Sequence, residues 1–232
     1  MLLRCFFAFC LLAATTSSLS AAIVTYTDPA AFQAAIAGRT TSEINFDTAA
    51  AGTTIADGGV FGGVTFDYTW ASGESLRVND EFDTNSGSNY LGATSGGGAV
   101  DLLADDNNFT MTPGTQSSAV GLFVIAPIEP LDDDFVLSSS TAMSGAASVS
   151  LVTPELQTLA DGSFVYFLGL VADDNEVLDP VNLDADAFAF GTDYRVDGIV
   201  FAESNITAVP EPTSLLLAGG CMLLIGVRRR RQ

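Results

Sequence analysis

The stretch that most constrains the fold is Ser163-Phe-Val-Tyr-Phe-Leu-Gly-Leu-Val171, nine residues that are nearly all apolar, bounded by Gly162 and by Asp173-Asp174. Its length suits one strand, and its aromatic and β-branched content favours a pleated backbone over a helix. A strand that is apolar at every position has both faces covered, so this segment is expected in the middle of a sheet with other elements packed on each side.

The rest of the chain supplies partners of the same kind. Residues 119–126 are almost as apolar. Val64-Thr-Phe66-Asp-Tyr68-Thr-Trp70 alternates strictly, with the even positions apolar and facing a core. Further strand signals run over residues 43–47, 99–103, 108–112, 135–138, 148–152, 181–190 and 194–202. One helix interrupts them. Asp28 caps it, Pro29 suits its first position, Gly38 suits the position after its end, and Phe32 and Ile36 share a face. The glycine-rich stretches around 58–63 and 95–98 lack the Lys-Ser/Thr of a phosphate loop and read as turns. Roughly ten strands separated by turn residues, with no strand–helix alternation, predict an all-β antiparallel β-sandwich, jelly-roll-like, with one short N-terminal helix.

Charge limits the partners. Residues 23–208 hold 27 acidic residues and only Arg39, Arg77 and Arg195 as bases, a net charge of −24. Such a surface repels nucleic acid and anionic headgroups and suits neutral polymers, cations or basic partners. The chain has no histidine, and its three cysteines (Cys5, Cys10 and Cys221) all lie in the terminal apolar runs. The body is therefore left without Ser-His-Asp triads, Cys-His dyads and zinc sites of the usual ligand set. Carboxylate, tyrosine and hard-cation chemistry remain.

The two ends read as signals. Arg4, the apolar run 5–14 and Ser20-Ala21-Ala22 have the order of an export signal spanning 1–22, with cleavage near Ala22–Ile23. At the other end Val209-Pro210-Glu211-Pro212 precedes a 13-residue apolar run, 215–227, and then Arg228, Arg229, Arg230 and Arg231. As a helix the run covers roughly 20 Å of a bilayer core of about 30 Å. The four arginines can hold its end at the cytoplasmic headgroups, so residues 213–227 are expected to anchor the chain at least transiently, leaving the acidic body outside. The body is expected to span 23–203, and a linker 204–208.

Proline-glutamate-proline, a short apolar run and a terminal arginine cluster, in that order, resemble the PEP-CTERM sorting signal. The resemblance implies an exported protein of a Gram-negative bacterium, often one that makes exopolysaccharide. It implies recognition of Pro210, Glu211 and Pro212 by exosortase, a membrane protease-transpeptidase, after passage through the export machinery, and a final place at the cell surface or outside. The stretches "YRVDGIVFA" and "VYFLGLVADD" are similar to closing strands of jelly-roll, lectin-like exported domains.

Three acidic clusters in expected loops are candidate calcium ligands: Asp105 and Asp106; Asp132, Asp133 and Asp134; and Asp173, Asp174 and Glu176, with Asp179 nearby. Ca2+ needs six to eight oxygens, which clustered carboxylates and carbonyls supply. None of them fits the EF-hand spacing, and a solvated acidic surface explains such clusters equally well. Asp184 and Asp186 share a strand face, the arrangement a carboxylate-based glycosidase would use. Trp70 and Tyr68 share the core-facing side of their strand, whereas Tyr90, among Ser, Asn and Gly, is expected at the surface, where it could stack on a sugar. These features predict a non-enzymatic structural or adhesive module that binds extracellular polysaccharide, with a carbohydrate-active enzyme as the alternative.

Overall fold

The computed structural model describes residues 22–205, apart from 71–72, 95–101, 105–106, 153, 174 and 186–192. The expected export signal and sorting tail lie outside the described residues, as do Asp105, Asp106, Asp174 and Asp186.

Two antiparallel sheets carry the fold. The larger is built from β1 (Val24–Tyr26), β13 (Phe164–Val171), β9 (Ser117–Ala126), β15 (Arg195–Glu203), β7 (Tyr90–Thr94), β6 (Ser75–Asn79) and β3 (Thr54–Ile55), in that order. In addition, β12 (Gln157–Thr158) pairs with β13 and β2 (Thr41–Ile44) with β15. The smaller sheet runs β11 (Gly145–Ser150), β10 (Val136–Thr141), β14 (Val181–Asp184), β8 (Phe109–Pro113), β5 (Val64–Asp67) and β4 (Gly59–Phe61). The main core lies between them. Val120, Leu122 and Val124 of β9, Tyr166, Leu168 and Leu170 of β13, and Val196, Ile199 and Phe201 of β15 meet Phe66, Phe109, Met111, Leu137, Val181 and Leu183 of the smaller sheet.

The run 163–171 is buried on both faces, as expected, but lies second from the edge of the larger sheet, beside β1, and its outer face explains why it carries no polar alternation. Helix α1 (Pro29–Ala35) lies there, and Phe32 and Ile36 form a second apolar cluster with Ala119, Phe167, Val171 and Ala202. The Asp28 carboxylate accepts the amides of Ala30 and Ala31 at 2.7 and 2.9 Å, which is the cap the sequence predicts.

Several boundaries differ from expectation. The first predicted strand, 43–47, is shifted to Thr41–Ile44, because the Asn45 side chain accepts the Asp47 amide and opens a 3-10 turn at Phe46–Thr48. The alternation 64–70 continues past the strand's end at Asp67. Tyr68 and Trp70 still pack inward, as expected: the Tyr68 hydroxyl donates to the Ile55 carbonyl and Trp70 Nε1 to the Asn108 carbonyl, each at 2.7 Å. The predicted strand 99–103 is represented among the described residues by a single bridge, Leu103 to Tyr194, and strand 181–190 stops at Asp184. Six short strands, β1, β3, β4, β6, β7 and β12, were not expected, and β4 lies in the glycine-rich stretch 58–63 that reads as a turn.

Candidate functional site

Asp132 and Asp133 are exposed, and Asp133 adopts a left-handed backbone at φ 73°. Asp134 instead folds inward, 4% exposed, and accepts the Leu131 amide. Asp173 accepts the Asn175 amide at 3.2 Å in a local turn. Glu176 is buried, and its Oε2 accepts the hydroxyls of Thr141 at 2.9 Å and Ser144 at 2.6 Å. The described members of the second and third clusters therefore serve different local tasks. Among the described residues no three acidic, histidine or cysteine side chains are gathered as a cation would need.

A different constellation is brought together by β15. Arg195 and Asp197 alternate with the core residue Val196, so both point to the outer face of the larger sheet. A register shift between Asp197 and Val200, with Gly198 at φ 56°, marks a bulge beside them. Both are buried, at 0% and 1% exposure, because the loop 80–89 between β6 and β7 lies over them.

Each end of that loop is clasped by a charged group. Arg195 Nε donates to the Asp83 carbonyl at 2.9 Å, and its Nη2 forms an ion pair with Asp161 at 2.9 Å. The rings of Phe82 and Tyr90 lie 5.6 Å from its guanidinium carbon. Tyr90 is thus fully buried, not the exposed residue its polar neighbours suggest; the cation beneath it supplies the partner that a surface position would not. Farther along, Asp197 accepts the Ser86 amide at 2.8 Å and its hydroxyl at 3.1 Å. Asp47 accepts the Ser88 and Asn89 amides at 2.6 and 2.8 Å.

These environments separate the acids. Burial pushes Asp197 up to about 6, against the lowering bonds from Ser86, and the neighbouring Asp47 charge adds to the rise. The Ser88 amide holds Asp47 below the ordinary carboxylate range. Asp161 is pushed up by burial, but the Ser163 amide and Arg195 bring it below that range. Burial pulls the Arg195 guanidinium down, opposed by Asp161.

The clasped loop forms one wall of an open pocket of about 440 Å³, lined by Asp80, Glu81, Phe82, Asp83, Thr84, Gly87, Ser88, Leu159 and Ala160. Phe82 remains 39% exposed there. A ring fixed from below with carboxylates and hydroxyls around it can stack on a pyranose and accept from its hydroxyls. The sequence shows this loop only as a run of polar residues. The signal within it is Arg195, a lone base in an apolar strand, which has to find an acidic partner if it is buried.

No helix among the described residues is long and apolar enough to cross a membrane. None of the curated proteins matches the chain. Residues 208–231 match the PEP-CTERM protein-sorting motif, as the sequence of Pro210-Glu211-Pro212 and Arg228–Arg231 suggests. The chain is thus a protein carrying the PEP-CTERM sorting motif, which marks an exported, exosortase-processed protein of Gram-negative bacteria.

Proposed function

We propose that the β-sandwich is a non-enzymatic adhesive module, placed at the cell surface or in the extracellular matrix by its tail, that binds neutral polysaccharide in the pocket under loop 80–89. The observation that carries this reading is Phe82, an apolar ring left 39% exposed in a pocket that Leu159 and Ala160 line together with the carboxylates and hydroxyls of Asp80, Glu81, Asp83, Thr84 and Ser88. The net charge of −24 on residues 23–208 disfavours anionic glycans and leaves neutral ones.

The attachment of the tail agrees with a structural role. The last strand before it, β15, is bonded to β9, β7 and β2 within the larger sheet, so a pull on the tail is shared across several ladders. The enzyme alternative draws on Asp47 and Asp197, whose protonation is pushed apart as in an acid–base pair. Asp197 lies beneath Ser86 at 1% exposure, however, which favours the non-enzymatic reading.

A panel of immobilised neutral and acidic polysaccharides tests the proposal. Retention of the chain by a neutral glycan, at least tenfold weaker for Phe82→Ala with unchanged thermal unfolding, supports it. Equal retention of both proteins, or none on any glycan, overturns it.

A further inference from the structure

Sandwiches protect their open edges with short strands, charges, prolines or bulges. Here β1, β3, β4 and β12 are two or three residues long, and β2, at four, carries Glu43. Strand β11 has none of these devices. It is six residues, Gly-Ala-Ala-Ser-Val-Ser, without charge or proline. It pairs with β10 in six consecutive positions without a register shift, and it is the end strand of its sheet. In a body of net charge −24, this is a face on which two copies can meet without repulsion.

The surroundings of β11 are self-complementary. One end carries the turn 142–144, uncharged, with Met143 67% exposed. The other carries Val152, 53% exposed, beside the loop whose Asp133 amide donates to the Leu151 carbonyl at 3.2 Å and which holds Leu131, 62% exposed. Antiparallel pairing of two β11 strands brings the turn that holds Met143 in one copy to the strand end that holds Val152 in the other, twice, by two-fold symmetry. It also sets Asp132 and Asp133 against a turn whose own residues carry no charge and beneath which the Glu176 carboxylate is buried and accepts from Ser144, whereas parallel pairing would stack them on their own copies.

We infer that β11 pairs antiparallel with β11 of a second copy, joining two six-stranded sheets into one of twelve. Val149 faces the core and Ser148 the outer side, so the rows continue across the junction only when residues of like parity oppose each other. Ala147 then meets Ala147, or Ser148 meets Ser148. Such an edge spans roughly 20 Å and buries less than a standard interface, so the pairing is weak in dilute solution and is favoured where sorting concentrates the chain. It does not depend on the saccharide reading.

The test uses the whole chain in detergent with Cys5, Cys10 and Cys221 replaced by serine. Single cysteines are placed at Ala147→Cys, at Ser148→Cys and, on the opposite edge, at Val60→Cys, a site 70% exposed on β4. Under mild oxidation one of the two β11 variants forms disulfide dimer at least tenfold faster than Val60→Cys, and adding Met143→Glu removes the advantage. Rates equal to that of Val60→Cys for both β11 variants overturn the inference. Sedimentation velocity gives an independent reading: the unmodified chain shows a concentration-dependent rise that Met143→Glu abolishes, and the absence of such a rise up to several hundred micromolar counts against the pairing.

Discussion

Gly121 of β9 and Gly169 of β13 stand directly opposite each other in the larger sheet, and the hollow they leave receives the ring of Phe32 from helix α1. A Cβ on Gly121 would lie 2.6 Å from Phe167 Cζ and 2.9 Å from Phe32 Cε1; one on Gly169 would lie 2.7 Å from Phe32 Cδ2. Two missing side chains on adjacent strands thus bring the helix against the backbone of the sheet. Gly169→Ala forces Phe32 out and is expected to cost about 1–3 kcal/mol, while Phe32→Ala empties the hollow and costs about 3–5 kcal/mol. Because the nearest clash is with Phe32, and a second, at 2.9 Å, with Phe167 Cε1, Gly169→Ala should cost less, though not nothing, in the Phe32→Ala background. A double-mutant cycle by urea unfolding checks this; additive costs would mean that the glycines serve something other than the helix.

Arg195 is the second tie. Arg195→Met keeps the aliphatic stem but leaves Asp161 without its ion pair and the Asp83 carbonyl without its donor. The expected loss is about 3–5 kcal/mol, as for one partner removed from a buried pair. Since Asp161 is still 23% exposed and can rehydrate, the lower end of that range is expected. Hydrogen exchange should locate the damage in loop 80–89 and leave the amides of α1 protected; uniform deprotection would show that Arg195 supports the whole sheet instead.

The long elements could be read from the sequence because their patterns are local. Residues 163–171 and 119–126 are apolar on both faces, and Asp28-Pro29 with Gly38 delimits a helix by cap chemistry alone. Strands β6 and β7 escaped notice because Arg77 interrupts Leu76 and Val78, and because Tyr90 follows a polar loop. Their burial is set by groups far along the chain, above all Arg195, whose partners are not neighbours in sequence. The acidic clusters are not legible for the same reason: adjacency in sequence brings carboxylates into one loop, but only the fold decides whether they point to one spot, and Asp132 is exposed where Asp134 folds inward. The sorting motif needed no fold to be recognised.

Gly87 has φ 68°, and an added Cβ would lie 1.6 Å from Asp47 Oδ2. Gly87→Ala therefore combines backbone strain with a clash against the carboxylate that accepts the Ser88 and Asn89 amides. The loop must lift, and the pocket with it. The expected result is a loss of about 1–3 kcal/mol, loss of polysaccharide retention, and faster exchange of the Ser86 to Asn89 amides. Retention unchanged with the loop lifted would move the saccharide site elsewhere.

The paired carboxylates also fix a dependence of stability on pH. Asp197 is raised from 3.8 to about 6 in the folded protein, so between those values the native state binds a proton that the unfolded chain has released. Stability from this group is full below 3.8, falls as pH rises through the window, and is reduced by about 3 kcal/mol above pH 6. Asp47 and Asp161 act with the opposite sign: their folded values are lowered, so their contribution is present above the ordinary carboxylate range and is lost as the medium becomes more acidic than 3.8. The protein should accordingly be most stable near pH 4 and lose stability towards pH 7. Asp197→Asn keeps an acceptor for the Ser86 amide and removes its titration, so the decline between pH 4.5 and 7 should shrink to the part due to Asp193, which burial also raises, and the variant should exceed the unmodified chain in stability at pH 7. Urea unfolding at several pH values decides the matter. A variant that retains the full decline would show that another group causes it, and one less stable at every pH would show that the charge on Asp197 holds loop 80–89 in place.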